Sequence, residues 1–364
     1  MRWTMACAVA GALLVAAPAG AEDSRESTAV PDSVRKVVVD IASGSVTVRA
    51  GRVGSVEVAK SWSRPEPEPK VVVEVQDGVL HVTARCAELT DSPVEVAINT
   101  CTTDVVITLG SAQAQTQIDA FGDIVVQGLR GSHDLASSIG DITVAETEGA
   151  SLEATTRGGN VAIRDVRSQT LAVQTGSGTV SLQRAAIEGF VVLGSDGGDM
   201  ALTDITANSL ATASRSGDVS AASVRTETEL SLDSNGGALS VTRSSARGLI
   251  LDSGAAPAVV RDSRARSVVA TTSGGAVDLR RVAATTYTVA TGPGKVILTT
   301  ASAPSSVIVE TNGGDVVTAV PRGSYALLWD TNGDVRLDGV TPDRAAPRRL
   351  DISSGSGDII VLGR

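Results

Sequence analysis

The residues best suited to chemistry in this sequence are aspartates that recur directly after glycines. Asp123, Asp141, Asp199, Asp218, Asp315, Asp334 and Asp358 each occupy that position, and Asn160 takes it after Gly159. A row of carboxylates beside turn carbonyls offers the oxygen ligands that calcium takes. The same residues also suit a tight turn, because an Asp side chain bonds nearby backbone. Turn-making is the better supported of the two. Ala238, Pro257, Ala276 and Lys295 break the row, and the short Gly- and Asp-dense nonapeptide of calcium-binding β-rolls is missing. No metal and no cofactor are therefore expected.

Serine and threonine recur three residues before the turn marker in nearly every repeat, as Ser137, Thr156, Thr175, Ser195, Ser214, Ser234, Ser253, Thr272, Thr291, Thr311 and Ser354. A nucleophilic hydroxyl needs a base at hand, and the sequence holds only two histidines, His81 and His133. Carbohydrate chemistry would call for converging carboxylates and aromatic rings. Beyond the first 21 residues the aromatic residues are Phe121, Phe190, Trp62, Trp329, Tyr287 and Tyr325, thinly spread. The glycines precede strands rather than helices, so they do not form a phosphate cradle. No catalytic residue is assigned, and a polysaccharide-active β-helix enzyme is kept only as a lesser alternative.

What positions these residues is a repeat. A unit of glycine, polar residue and apolar-x-apolar strand begins at Gly122, Gly140, Gly159, Gly178, Gly198, Gly217, Gly237, Ala256, Gly275, Gly294, Gly314, Gly333 and Gly357, spaced by 18 to 20 residues until a final interval of 24. The second and fourth residues after each marker are apolar, as in Ile142 and Val144 or Val180 and Leu182. A matching pair stands seven and five residues before it, as in Leu171 and Val173 or Leu230 and Leu232. Two alternating strands per 19 residues describe one flattened coil, and stacked coils bury two apolar ladders against each other. The expected fold is an all-β solenoid (β-helix) of about thirteen 19-residue two-strand coils. By parity the Ser/Thr position faces inward, where a hydroxyl must bond turn backbone or its neighbours. Aromatic residues make up only 2% of the chain, so the core is thin and built of small branched side chains.

The rest of the chain divides around this repeat. Residues 1–21 read as a signal peptide, with Arg2, an apolar run from Met5 to Ala17 and the small-x-small Ala19-Gly20-Ala21. An apolar run of about 13 residues is short of the roughly 20 that span a bilayer. Residues 22–33 are expected to be a flexible lead-in, 34–118 a β-rich cap that covers the solenoid end against edge pairing, and 119–364 the repeats. The stretch Pro65-Glu66-Pro67-Glu68-Pro69 interrupts the cap. Cys86 and Cys101 are expected to pair, as suits an exported protein. Removing residues 1–21 takes away Arg2 alone, leaving 30 basic against 41 acidic residues, or −11. That balance argues against nucleic acid or anionic lipid as partner, and no later stretch reads as a membrane span.

The repeats resemble a family of bacterial exported β-strand-repeat proteins described as "putative adhesin", a domain of unknown function. The resemblance rests on Gly44-Ser45-Val46-Thr47-Val48, Asp77-Gly78-Val79-Leu80-His81-Val82, Asp104-Val105-Val106-Ile107-Thr108-Leu109 and the Gly-Asp-Ile or Gly-Asp-Val units. It implies a repetitive β-helical fold at the cell envelope and carries no catalytic residues.

The expected role is a non-catalytic exported protein, periplasmic, cell-surface or secreted. It would present a long solenoid surface to an envelope protein, a glycan or itself, with a periplasmic structural scaffold as the alternative. Outward positions are mostly small, as at Thr143, Ala162, Ser181, Ala201, Ser220 and Ser240. Counting alternate residues puts Ile250, Val269, Ile308, Leu327 and Trp329 on the outer face as a contiguous apolar stripe, the candidate interaction surface.

Overall fold

The computed structural model describes residues 21–63, 68–86 and 101–364. The expected signal peptide lies outside the described residues but for Ala21, as does most of the Pro-Glu stretch. The chain is an all-β solenoid with about thirteen repeat coils. Strands form where the sequence alternates, because only one face has apolar groups to bury. Ile142, Val144, Val161, Ile163, Val180 and Leu182 line one wall of the core; Leu171, Val173, Leu230, Leu232, Val307 and Val309 line the facing wall. Adjacent coils pair in parallel and in register, with Val161 between Ile142 and Val180. A one-residue slip would turn every buried residue to solvent, which pins the register.

Each coil also has a third, short side, where the sequence reading has only two strands. The chain turns at Glu146, Asp165, Arg184, Asp204, Ser223, Arg243, Asp262 and Arg281, all with φ between 49° and 58°, and residues 166–168 pair with 185–187 and these with 205–207. The inward residues of this side are mixed: Val166, Ile205, Val224 and Val282 stand among Thr147, Ala185, Ser244 and Ser263. A position that changes character from coil to coil gives no constant apolar period to read. Left-handed backbone costs a residue with a side chain roughly 1–2 kcal/mol, and Arg184–Asp165 and Arg281–Asp262 ion pairs of 2.6 and 2.5 Å link corners of adjacent coils.

The buried hydroxyls join the turns of successive coils. Thr175 Oγ1 accepts the Gly178 amide at 3.2 Å and donates to the Gly159 carbonyl of the preceding coil at 2.9 Å. Ser137, Thr156, Ser195, Ser234, Thr311 and Ser354 repeat both bonds. The turns stack so closely that a Cβ on Gly159 would lie 1.9 Å from the Gly140 carbonyl oxygen. This approach, not backbone freedom, requires glycine there.

At the amino end, strand Lys36–Ile41 lies between Val79–Arg85 and Gln115–Ala120, and Val46–Ala50 between Thr102–Leu109 and Ile124–Gln127. The region expected as a cap thus adds two parallel layers of its own. Strands Ser55–Ser63 and Lys70–Gln76 run antiparallel on Thr102–Leu109 and Val79–Arg85. The segment expected to be a flexible lead-in is corrected: Ala21–Ala29 is a strand paired antiparallel with Ser55–Ser63. It carries no apolar alternation because backbone pairing holds it, helped by Lys60, which binds Glu26 and Glu68 at 2.5 and 2.9 Å. Cys86 and Cys101 form a disulfide.

At the carboxyl end the coils leave chain order. Strand Arg349–Ser354 sits between Ser306–Thr311 and Gly323–Thr331, and Ile359–Gly363 between Val316–Val320 and Val335–Asp338. The last coil in sequence is inserted beneath the one before it, and the long 24-residue interval supplies the connection.

Replacing Thr175 by Val should leave one amide and one carbonyl without a partner in the core and lower stability by about 3 kcal/mol. Thr175→Ser, which keeps the hydroxyl, should recover most of it. Denaturant midpoints of the two variants check this, with equal midpoints contradicting the role of the hydroxyl.

Candidate functional site

The aspartates after the glycines do not converge on a common point. All but Asp334, in the end coil, are taken up by the next coil: Asp123 Oδ1 accepts the Asp141 amide at 2.8 Å, Asp141 the Asn160 amide at 2.7 Å, and Asn160 Oδ1 the Thr179 amide at 2.9 Å. Asp199, Asp218, Asp315 and Asp358 accept those of Asp218, Ala238, Asp358 and Asp334. Asp104 does the same for Ser45 at the amino end, at 2.9 Å. The row is a ladder of side-chain caps on the turn edge. Among the described residues, no group of three or more His, Cys, Asp and Glu side chains could hold a metal ion.

His133 is the inward residue of its coil, between Thr116 and Leu152. Its Nδ1 lies 2.9 Å from Thr116 Oγ1, and its Nε2 is buried without a partner. Burial holds its pKa down to about 4. It is a neutral core residue and no base for any of the recurring hydroxyls, each of which is already engaged in its own turn.

The most polar depression lies on the long wall beside the turns, a shallow cleft of about 610 Å³ with Asp196, Arg215, Asp233 and Asp252 in its lining. Asp233 and Asp252 are register partners on adjacent coils. Desolvation first, and the Asp252 charge second, raise the Asp233 carboxyl above the usual carboxylate range. Arg215 is paired with Asp196 at 3.3 Å, so no cation faces the two aspartates.

The outer surface departs from the expected stripe. Successive coils align Ser231, Ile250, Val269, Thr288, Ile308, Asp351 and Leu328 in one outward column. Ile250 and Val269 are adjacent, but Thr288 separates them from Ile308, and Asp351 follows. Leu327 and Trp329 are not on this face. They align with the buried Leu350 and Ile352 and so belong to the inner wall of the end coil. The slip has a local cause: the turn Thr331-Asn332-Gly333-Asp334 is one residue shorter than Thr311-Asn312-Gly313-Gly314-Asp315, so Thr331 takes the place of the recurring hydroxyl and donates to Gly357. Trp329 is nonetheless 48% exposed, because no coil covers it.

With the geometry in view, the class is that of a parallel β-solenoid whose recurring polar groups are spent on its own turns. Residues 164–255 match the family model described as Toastrack DUF4097. No curated protein matches the chain. Solved structures of similar coverage include a "putative adhesin" from Bacteroides fragilis, 12% identical over 94% of this chain and 97% of that one, with a TM-score of 0.34. Another from Parabacteroides merdae is 13% identical over 71% and 95%, with a TM-score of 0.40. A "putative lipid binding protein" from Parabacteroides distasonis is 11% identical over 75% and 95%, with a TM-score of 0.37.

The buried histidine makes a pH prediction. An unfolded chain binds a proton at His133 below about 6.5, whereas the folded one resists it down to about 4. Stability is therefore fullest above pH 6.5 and falls as the pH drops toward 4, by about 3 kcal/mol from this residue. In His133→Leu/Thr116→Val that contribution to the slope should vanish. Denaturant titrations at a series of pH values would decide, and identical slopes would refute it.

Proposed function

We propose that this chain is a non-catalytic exported protein that presents the long sides of its solenoid to another protein or a glycan at the cell envelope. One observation carries the reading. The recurring hydroxyls and carboxylates bond neighbouring turns and coils, while one outward column holds small side chains at one-coil spacing from Thr143 through Ala162, Ser181, Ala201 and Ser220 to Ser240. A stack of roughly 70 Å at about 4.8 Å per layer gives a flat, rigid face on which shallow contacts add along its length. The Toastrack match over residues 164–255 and the export signal read from the sequence support an envelope setting. Adhesion is the finer form of the proposal.

The test compares cells with and without the protein. External protease should reach it on intact cells, and deletion should reduce attachment to a protein- or glycan-coated surface. Ala162→Arg with Ala201→Arg, which roughens the face without touching the core, should reduce attachment as deletion does. Protection from external protease with unchanged attachment would replace adhesion by the periplasmic scaffold. New reducing ends or unsaturated sugars from acidic polysaccharides would overturn the non-catalytic reading.

A further inference from the structure

The two ends of the stack are finished differently. At the amino end each wall finishes in antiparallel strands, Ala21–Ala29 with Asp23, Arg25 and Glu26 on one and Lys70–Gln76 on the other. The carboxyl end is not covered among the described residues. There the strand segments 326–331 and 335–338 pair with the inserted coil on one edge only. Their inward side chains are left in part to solvent: Trp329 is 48% and Val335 37% exposed, whereas their neighbours Ile352 and Ile359 are 2% and 1% exposed. Leu327 and Leu337 are half-buried beside them. Only the corner is closed, by Val340–Pro342 on Gly323–Tyr325 and by Arg348 over the Tyr325 ring at 5.8 Å. This end is a cross-section of the core with two free strand edges.

We infer that this end is the dimerisation surface of the protein and that its occupant is the same end of a second copy. The contact continues the interface that already joins every pair of coils, apolar ladder on apolar ladder with backbone bonds on both walls. A head-to-tail partner would meet, on one wall, the antiparallel strand that carries Asp23, Arg25 and Glu26, whereas the same end of a second copy presents matching apolar residues on both walls. A two-fold axis normal to both sheets pairs each edge strand antiparallel with its own copy. Centring that axis on Leu337 places Arg336 of each copy opposite Asp338 of the other on the outer face. Trp329 is as far from Gly333 in the chain as Leu337 is, on the facing wall, and it then meets its own copy. Opposite charges directly across an antiparallel pair are favourable and like charges are not. Edges of about 20 Å at residues 326–331 and about 13 Å at residues 335–338, on walls about 10 Å apart, bury roughly 300–400 Å² per copy, below the standard size of specific interfaces, so the dimer is weak and reversible.

Sedimentation and small-angle scattering of the purified exported chain over a wide range of concentration test this. The expected result is a concentration-dependent dimer about twice as long as the monomer and no wider. Arg336→Asp and Asp338→Arg should each weaken it by roughly tenfold, and the double exchange should restore it, which also shows that the single variants fold. A monomer at every concentration, a dimer that grows in width, or a double exchange no tighter than the single ones would each overturn the assignment.

Discussion

The bond on which the rest depends runs from a buried hydroxyl to two backbone groups. In coil after coil a Ser or Thr side chain closes its own turn and grips the carbonyl of the turn below, as Thr175 does for Gly178 and Gly159. Two parallel walls of alternating residues could slide on each other, since their apolar side chains differ little from coil to coil. The hydroxyl fixes the turn at a set height and position, and it satisfies polar groups that would otherwise be stranded at the edge of a dry core. It also demands glycine at the marker, because the stacked turns leave no room for a Cβ. The pattern loosens over two coils: Ser253 donates to the Ala256 carbonyl of its own coil and to Gly237 below, and Thr272 donates to the Gly275 carbonyl of its own coil and to Thr291.

Much of this was legible because it is periodic. The marker glycines, the two apolar pairs and the inward hydroxyl recur often enough that their spacing alone defines the coil and its register. Features that do not repeat in apolar character stayed hidden. The third side of each coil turns on left-handed residues as varied as Glu146, Arg184 and Ser223, and its inward groups change from Val166 and Ile205 to Ser244 and Ser263. Strand Ala21–Ala29 was hidden for a similar reason, since its pairing is by backbone. The outward parity of Ile250, Val269 and Ile308 agrees with the alternation, although Thr288 interrupts the stripe, and it fails at Leu327 and Trp329, where a single residue missing from one turn reverses the parity of the strand before it. Coil order at the carboxyl end could not be read at all: any two coils of this kind pair equally well by pattern, so the sequence has no local mark of which neighbour each one takes.

The same economy explains why the surface offers so little conventional chemistry. A repeat that devotes its hydroxyls and carboxylates to neighbouring coils keeps none of them converging on an outside point. Charged residues that remain outside are arranged along the stack, as Arg184 with Asp165 and Arg281 with Asp262, where they neutralise one another coil to coil. Asp233 beside Asp252 is a departure, a like-charged pair in which desolvation first and the Asp252 charge second raise the Asp233 carboxyl above the usual carboxylate range. Recognition by such a molecule draws on extent and rigidity, with many shallow contacts at fixed intervals in place of one deep site.

The inserted coil at the carboxyl end has a consequence for how the stack is completed. Residues 349–363 come after residues 323–338 along the chain but lie below them in the stack. A solenoid that grew strictly from one end would add each coil onto the last, and this one cannot finish that way. The segment 323–338 must wait, or swing aside, until the later coil has slid into its slot, much as an arch is closed by its keystone. Until then the bed formed by Ser306–Thr311 and Val316–Val320 stays open to any strand of matching pattern, and the segments 326–331 and 335–338 have no strand to pair with until the inserted coil is in place.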